Sequence, residues 1–326
     1  MNESQYRDML SKSLRGIFDS RELPLYGMMS SHFGFHESDS VFAPNYMHGI
    51  SLLLATEAFG DAVDVAACAA VAVELINGFC EIHDDVQSGR PSRDGRDALW
   101  WIWGPAQAIN AGDGMHALAR TELLLLGNQG ASDLPYRAIK LFDQATLKAC
   151  EGRFRDLDMQ EKLAVSVEAY TKMASEKSGS LLGASLAVAA LLNNKNEDAQ
   201  SELLYAGFLL GEAMQIKSDL NQLWNISENQ NVDFLNKKKL YPVVLAMQKA
   251  SASEKRKLGD VYFKRVLDPE DVNVVRDIIE SLGSKEEAEK RFDSCVAQAN
   301  QILNKHSYDK DSYDRLWVFL MNNIEN

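Results

Sequence analysis

No stretch of this chain alternates apolar and polar residues convincingly at a spacing of two, so the pattern of a half-buried β-strand is missing. Prolines are scarce, seven in all, and most sit near element boundaries, which leaves long segments free to be helical. The four cysteines (Cys68, Cys80, Cys150, Cys295) are too far apart for a zinc spacing or a small disulfide framework. Reduced thiols in a cytoplasmic protein are therefore expected. Positive charge is also short. The 34 Lys and Arg against 47 Asp and Glu give a formal net charge of −13, which argues against nucleic acid or an anionic membrane surface as the main partner. The polar opening Met1-Asn2-Glu3-Ser4-Gln5 has no signal-peptide apolar core. The longest apolar run, around Val63–Phe79, is interrupted by Asp64, Glu74 and Asn77, and its alanines suit helix packing. No stable membrane insertion is expected from it.

What the chain does have is helical periodicity and enough apolar material, 46% of 326 residues, to bury a large core. Helices are expected over Leu52–Phe59, Ala62–His83, Ala106–Leu126, Pro135–Cys150, Val165–Glu176, Ser180–Leu192 and Glu202–Trp224. Further helices are expected over Tyr241–Lys249, Pro269–Leu282, Ser284–Lys305 and Tyr313–Asn323. Pro269 after Asp268 has the position of a first helical residue, and Ser284 with Glu287 has capping-box spacing after Gly283. Ser227–Lys239 and Asn193–Gln200 read as loops. The inner helices look apolar on more than one side, as in a large bundle. The fold class is all-α, with residues 1–326 as a single domain.

The chemistry concentrates in Glu81-Ile82-His83-Asp84-Asp85-Val86-Gln87-Ser88, followed by Gly89-Arg90-Pro91-Ser92-Arg93-Asp94-Gly95-Arg96. Adjacent Asp84 and Asp85 at the end of an apolar helix suit a hard cation such as Mg²⁺, and the arginines carry forked donors for phosphate oxygens. An acidic pair alone is most often solvated surface; the helix end, the break and the arginines together point to diphosphate handling. Glu81 lies three and four residues before the pair and shares its helix face. It can act on substrate, replace a metal ligand, or be a paired structural carboxylate. Lys177 at a helix start would oppose the helix dipole, which favours an anionic ligand there. Phe79 suits either a hydrocarbon floor or plain core packing. His83 reads as a packed histidine, and Trp100, Trp101 and Trp103 as packing residues, although one of them could shield a cation by its π face.

These motifs resemble the trans-isoprenyl diphosphate synthases (the polyprenyl synthetase family). The resemblance rests on His83-Asp84-Asp85-Val86-Gln87 through Trp100, on Ala108-Ile109-Asn110-Ala111-Gly112-Asp113, and on Lys177-Ser178-Gly179. Gln215-Ile216-Lys217-Ser218-Asp219 and Lys237-Lys238-Lys239 continue it in family order, over roughly residues 20–250. The resemblance implies a helical bundle around a central cavity and a homodimer. It also implies Mg²⁺-assisted ionisation of an allylic isoprenyl diphosphate, with Asp84, Asp85 and Asp219 as metal ligands. Arg93, Lys177, Gln215 and Lys238 would bind substrate, with Asp156 at an acidic family position.

The departures from the family pattern bear on the reaction. Where the family places cationic residues for its acceptor diphosphate, this chain has Pro44, Asn45, Tyr46 and His48, and the second of a paired arginine has become Asp94. Ser88 and Ser218 stand where the family has Asp. The expectation is an enzyme that ionises the allylic diphosphate without condensing isopentenyl diphosphate in the ordinary way. A class I terpene synthase comes first, ending by cyclisation, deprotonation or water capture. Prenyl transfer to another acceptor follows closely, with a conventional polyprenyl diphosphate synthase and a non-catalytic regulatory subunit as the remaining readings.

Overall fold

A computed structural model describes residues 1–35, 44–60, 62–129, 133–162, 164–224, 232–264, 266–268 and 270–325. Among the described residues the chain is helical almost throughout. The helices are α1 (Glu3–Asp19), α2 (Pro24–His32), α3 (Met47–Phe59), α4 (Val63–Ser88), α5 (Leu99–Trp103), α6 (Pro105–Leu124), α7 (Leu134–Gln160) and α8 (Val167–Leu192). They continue with α9 (Glu197–Trp224), α10 (Val232–Leu235), α11 (Tyr241–Lys249), α12 (Ala252–Phe263), α13 (Asp271–Ser281), α14 (Ser284–His306) and α15 (Lys310–Glu325).

Two compact units divide the chain. The first comprises Met1–Thr146, Leu181–Leu204 and Asn304–Leu320; the second comprises Leu147–Ser180, Tyr205–Leu303 and Met321–Asn326. At the heart of the first unit, α3 is buried on nearly every side, through Ile50, Leu52, Leu53, Leu54, Ala55 and Ala58. Each such large aliphatic side chain contributes about 1.5–3 kcal/mol of apolar burial. Helix α4 packs between α3 and α6. By length and composition α4 could cross a membrane, but 67% of its apolar window is buried inside the protein, as in a core helix. In the second unit, Phe234, Leu240, Leu258, Val261 and Ile279 form one apolar cluster, and Met159, Tyr170, Ile216 and Tyr241 belong to another.

Several local expectations change. The helices expected over Val165–Glu176 and Ser180–Leu192 are one, α8, so Lys177 stands inside a helix and its dipole argument fails. Helices α1 and α12, which periodicity missed, each start with a capping box, Asn2 with Gln5 and Ser251 with Glu254. That spacing was present in the sequence. The box expected at Ser284 does not form: the Ser284 hydroxyl is buried without a partner, and Glu287 pairs with Lys249. Gly283 does close the preceding helix with a left-handed φ of 62°. Pro269 lies outside the described residues, as does part of Ser227–Lys239, whose described remainder includes α10.

A hairpin too short for any periodic signal follows α4. Strands β1 (Ser92–Arg93) and β2 (Arg96–Asp97) pair antiparallel, Arg93 opposite Arg96. Asp94 (φ 52°) and Gly95 (φ 76°) form its two-residue turn, the Asp-Gly pair that tolerates left-handed backbone at both positions.

Candidate functional site

Two polar clusters hold the sequence-selected residues, one in each unit. In the first unit, α4 carries Glu81, Asp84 and Asp85 to its C-terminal end, where Gly89 (φ 62°) turns the chain out of the helix. The hairpin then brings Arg93 back onto α4. Its Nε lies 3.1 Å from both oxygens of Asp85, and its Nη2 is 2.7 Å from Asp85 Oδ1 and 3.3 Å from Asp84 Oδ2. The hairpin is tethered by Arg96, which donates to the carbonyls of Ser31 (2.9 Å) and His32 (2.8 Å). Trp100 Nε1 donates to the Arg90 carbonyl at 2.6 Å, while Trp101 is 60% exposed, contrary to its expected packing role.

The electrostatics follow from this enclosure. Burial raises the Asp85 carboxyl and Arg93 opposes it; burial also works against the Arg93 charge, but Glu81, Asp85 and Asp84 more than offset it and raise the guanidinium. Glu81 pairs with His32 Nε2 at 3.2 Å and stands 3.9 Å from Arg93 Nη1. Burial would raise Glu81, but the His32 hydrogen bond and Arg93 hold it down at about 2. Of the roles open to Glu81, the paired carboxylate is the one its contacts describe. Phe79 lies tilted against His83 (4.5 Å between ring centroids) and stacks with His116 (4.9 Å). His83 is packed, 3.4 Å from Asp113 Oδ1.

At the positions where cations were missing from the sequence, the structure supplies none from the side chains themselves. Tyr46 is buried and accepts from Ser11 at 3.1 Å. His48 has a buried Nδ1 without a hydrogen-bond partner, and burial lowers its imidazole to about 4. The nearby Arg7 is engaged with the carbonyls of Pro44 and Asn45 and with Glu3. Asp94 is an exposed turn residue.

The second unit assembles its cluster through close helix crossings. A Cβ on Gly152 of α7 would lie 2.4 Å from the Lys177 nitrogen, and one on Gly179 of α8 would lie 2.7 Å from Gly207 O. Those contacts require glycine, and they place Asp156, Lys177 and Gln215 together. Lys177 Nζ is 2.7 Å from Asp156 Oδ2, and Lys238 Nζ is 3.8 Å from that oxygen and 3.0 Å from Asp233 Oδ1. Ser178 donates to Gln215 Oε1 at 3.2 Å, and Gln215 Nε2 donates to Asp219 Oδ1 at 2.9 Å. Tyr170 OH and the Tyr241 amide (2.7 Å) both donate to Asp219 Oδ2. Asp219 is 2% exposed, and burial raises its carboxyl to about 7.

The donors sort by their fitness for metal. Asp84 and Asp85 are adjacent oxygen donors at a helix end, and Mg²⁺ is commonly held by one or two carboxylates together with substrate phosphates. Ser88, at the third family position, donates its hydroxyl to the Asp84 carbonyl at 2.6 Å. Asp219, expected as a metal ligand, accepts hydrogen bonds from three donors at its buried oxygens. Among the described residues no three His, Cys, Asp or Glu side chains converge as a ready metal group.

The sequence pattern of the polyprenyl synthetase family matches residues 45–282. A geranylgeranyl diphosphate synthase of Mycobacterium tuberculosis is 32% identical over 245 residues, 73% of this chain and 69% of that protein. A (2E,6E)-farnesyl diphosphate synthase of the same species is 26% identical over 309 residues, 91% of this chain and 84% of that protein. The crystal structure of a polyprenyl synthetase from Streptomyces coelicolor A3(2) matches with a TM-score of 0.87 at 26% identity, covering 98% of both chains. A geranylgeranyl pyrophosphate synthetase from Pyrococcus horikoshii matches in fold with a TM-score of 0.84 at 24% identity, over 98% of this chain and 95% of the other.

Proposed function

Because this chain belongs to the polyprenyl synthetase family, we propose that it is an isoprenoid-biosynthetic enzyme that ionises an allylic isoprenyl diphosphate. The observation carrying this reading is the Arg93 guanidinium lying across Asp85 and Asp84 at the end of α4. Asp84 and Asp85 would hold Mg²⁺, which when bound neutralises the leaving diphosphate. Arg93 is prepositioned to bind phosphate oxygens, held in place by the carboxylates. In the second unit, Lys177 and Lys238 are the phosphate-binding candidates, with Asp156 and Asp233 holding them in place. Asp219 orients the Gln215 amide and the start of α11, which makes it a positioning residue.

The fate of the cation is the finer part of the proposal. The relatives carry the names of chain-elongating diphosphate synthases. Residues 44–48 of this chain, however, offer no cationic side chain except a histidine kept neutral by burial. An acceptor bearing a diphosphate would find little charge compensation there. That supports a terpene synthase outcome, in which the cation cyclises, loses a proton or takes up water. The unpartnered His48 nitrogen supports a second reading, an uncharged acceptor that hydrogen-bonds to it.

Exposed Trp101, Ile102, Trp103 and Ile109 support pairing of two copies. The free thiols of Cys68, Cys80, Cys150 and Cys295 support a reducing, cytoplasmic setting.

The test is incubation with Mg²⁺ and C10, C15 or C20 allylic diphosphates, with and without isopentenyl diphosphate, following products by mass spectrometry. Hydrocarbon or alcohol without isopentenyl diphosphate supports the terpene synthase outcome. Elongated diphosphates formed only with it establish conventional chain elongation. No diphosphate release with any substrate removes the ionisation reading.

A further inference from the structure

The end of α2 holds both strands of the hairpin that carries Arg93. On β2, Arg96 donates to the carbonyls of Ser31 and His32. On β1, the link to Arg93 runs through side chains. His32 Nε2 lies 3.2 Å from Glu81 Oε2, and Glu81 Oε1 lies 3.9 Å from Arg93 Nη1. A carboxylate only accepts, so His32 Nε2 carries the proton of the first bond. The His32 ring is itself confined. It is 10% exposed, meets Phe33 edge-on at 5.2 Å between centroids, and passes Gly78, where a Cβ would stand 3.4 Å from its Cδ2. Asn77, one turn before Glu81 on α4, gives the carboxylate a second hydrogen bond. Glu81 is thus held independently of Arg93.

Arg93 is not. Its hydrogen-bond partners are the oxygens of Asp85 and Asp84, the same oxygens that Mg²⁺ would take. With those oxygens bound to a dication, the guanidinium loses the hydrogen bonds that aim it and is repelled by the new charge. Three carboxylates stabilise the Arg93 charge, Glu81 through the strongest attraction and Asp85 and Asp84 after it. Glu81 alone of the three is not a proposed metal ligand.

We propose, taking Asp84 and Asp85 as the metal site and Arg93 as a phosphate ligand, that His32 and Glu81 are positioning residues. Glu81, braced by His32, is the carboxylate on which Arg93 stays anchored when the two aspartates hold metal. Without this brace the guanidinium would turn away from the phosphate, or fall back on the aspartates and compete with the metal. Charge and position predict opposite signs for Glu81→Gln. Removing a negative charge beside an anion site strengthens anion binding if only the field acts. Losing the anchor of Arg93 weakens it.

The experiment is calorimetric titration of the full chain with inorganic diphosphate in the presence of Mg²⁺. Glu81→Gln is expected to bind about tenfold more weakly than the wild type, the weight of one hydrogen bond to a charged group. His32→Leu should weaken binding in the same direction, and His32→Gln, a neutral donor of similar reach, should restore most of it. In an Arg93→Ala background, Glu81→Gln should weaken binding no further, because the brace acts through the guanidinium. Binding in Glu81→Gln equal to or tighter than the wild type overturns the proposal. So does a His32→Gln protein no better than His32→Leu, or a full further loss in the Arg93→Ala background. A wild type that binds no diphosphate, or an Arg93→Ala protein that binds it unchanged, removes the phosphate role of Arg93 and the brace with it.

Discussion

The guanidinium of Arg93 spans both carboxylate oxygens of Asp85, with Nε 3.1 Å from each and Nη2 2.7 Å from Oδ1. The acid ends a long core helix and the base sits in a two-residue strand, so the pair exists only because the Asp94-Gly95 turn folds the hairpin back. Asp85 is nearly buried, and Arg93 is the cation matched to it.

Asp85→Ala removes the better-buried member of the acidic pair. Mg²⁺-dependent diphosphate release is expected to fall by at least about 100-fold, the scale on which loss of one charge-stabilising group acts. Chelation of Mg²⁺ should silence the wild type equally. Release at wild-type rates in the variant would remove Asp85 from the metal site.

Glu81→Gln keeps the shape of the side chain but removes the charge facing His32 and Arg93. Since the carboxylate is 31% exposed, the expected loss is modest, up to about 1 kcal/mol. The depressed folded value, about 2 against an ordinary 4.5, means the stabilisation is present above 4.5 and disappears as pH falls toward 2. Thermal unfolding of both proteins across that range reads it. Unchanged melting with an altered product spectrum would make Glu81 a substrate contact.

Glu74 has the opposite sign. It is 2% exposed, accepts from the Gly49 amide at 2.5 Å, and burial pushes its carboxyl up to about 8. Between 4.5 and 8 the folded state keeps a proton that the unfolded chain gives up, so stability contributed by Glu74 declines as pH rises through that window. Glu74→Gln should flatten this decline in melting temperature. A slope identical to the wild type would show that Glu74 is ionised when folded.

Gly179→Ala tests the close crossing of α8 and α9. The new methyl would meet Gly207 O and the Phe208 Cα at 2.7 Å, both backbone atoms. A destabilisation of about 1–3 kcal/mol is expected from the forced separation, together with weaker diphosphate binding as Lys177 and Gln215 part. Chemical denaturation and calorimetric titration with inorganic diphosphate check the two effects. Wild-type values in both would mean that the crossing relaxes without cost.

The sequence by itself determined the all-α class, the apolar helix that leads to Asp84 and Asp85, the break at Gly89 and the family of the chain. Those features depend on residues within a turn or two of one another, where period, capping and glycine conformation act locally. Even there, Asn2 with Gln5 and Ser251 with Glu254 were legible starts, while Ser284 with Glu287 had the right spacing and the wrong outcome. Tertiary packing decided the rest. Glu81 meets His32 from another helix, Lys177 sits mid-helix against Asp156, and Asp219 is enclosed by Tyr170, Gln215 and Tyr241. Lys238 and Lys239, neighbours in the chain, serve different surroundings. A side chain's partner depends on which helices approach and how closely, and that distance is set by small residues on facing helices, such as Gly152, Gly179 and Gly211, rather than by the charged residues they bring together.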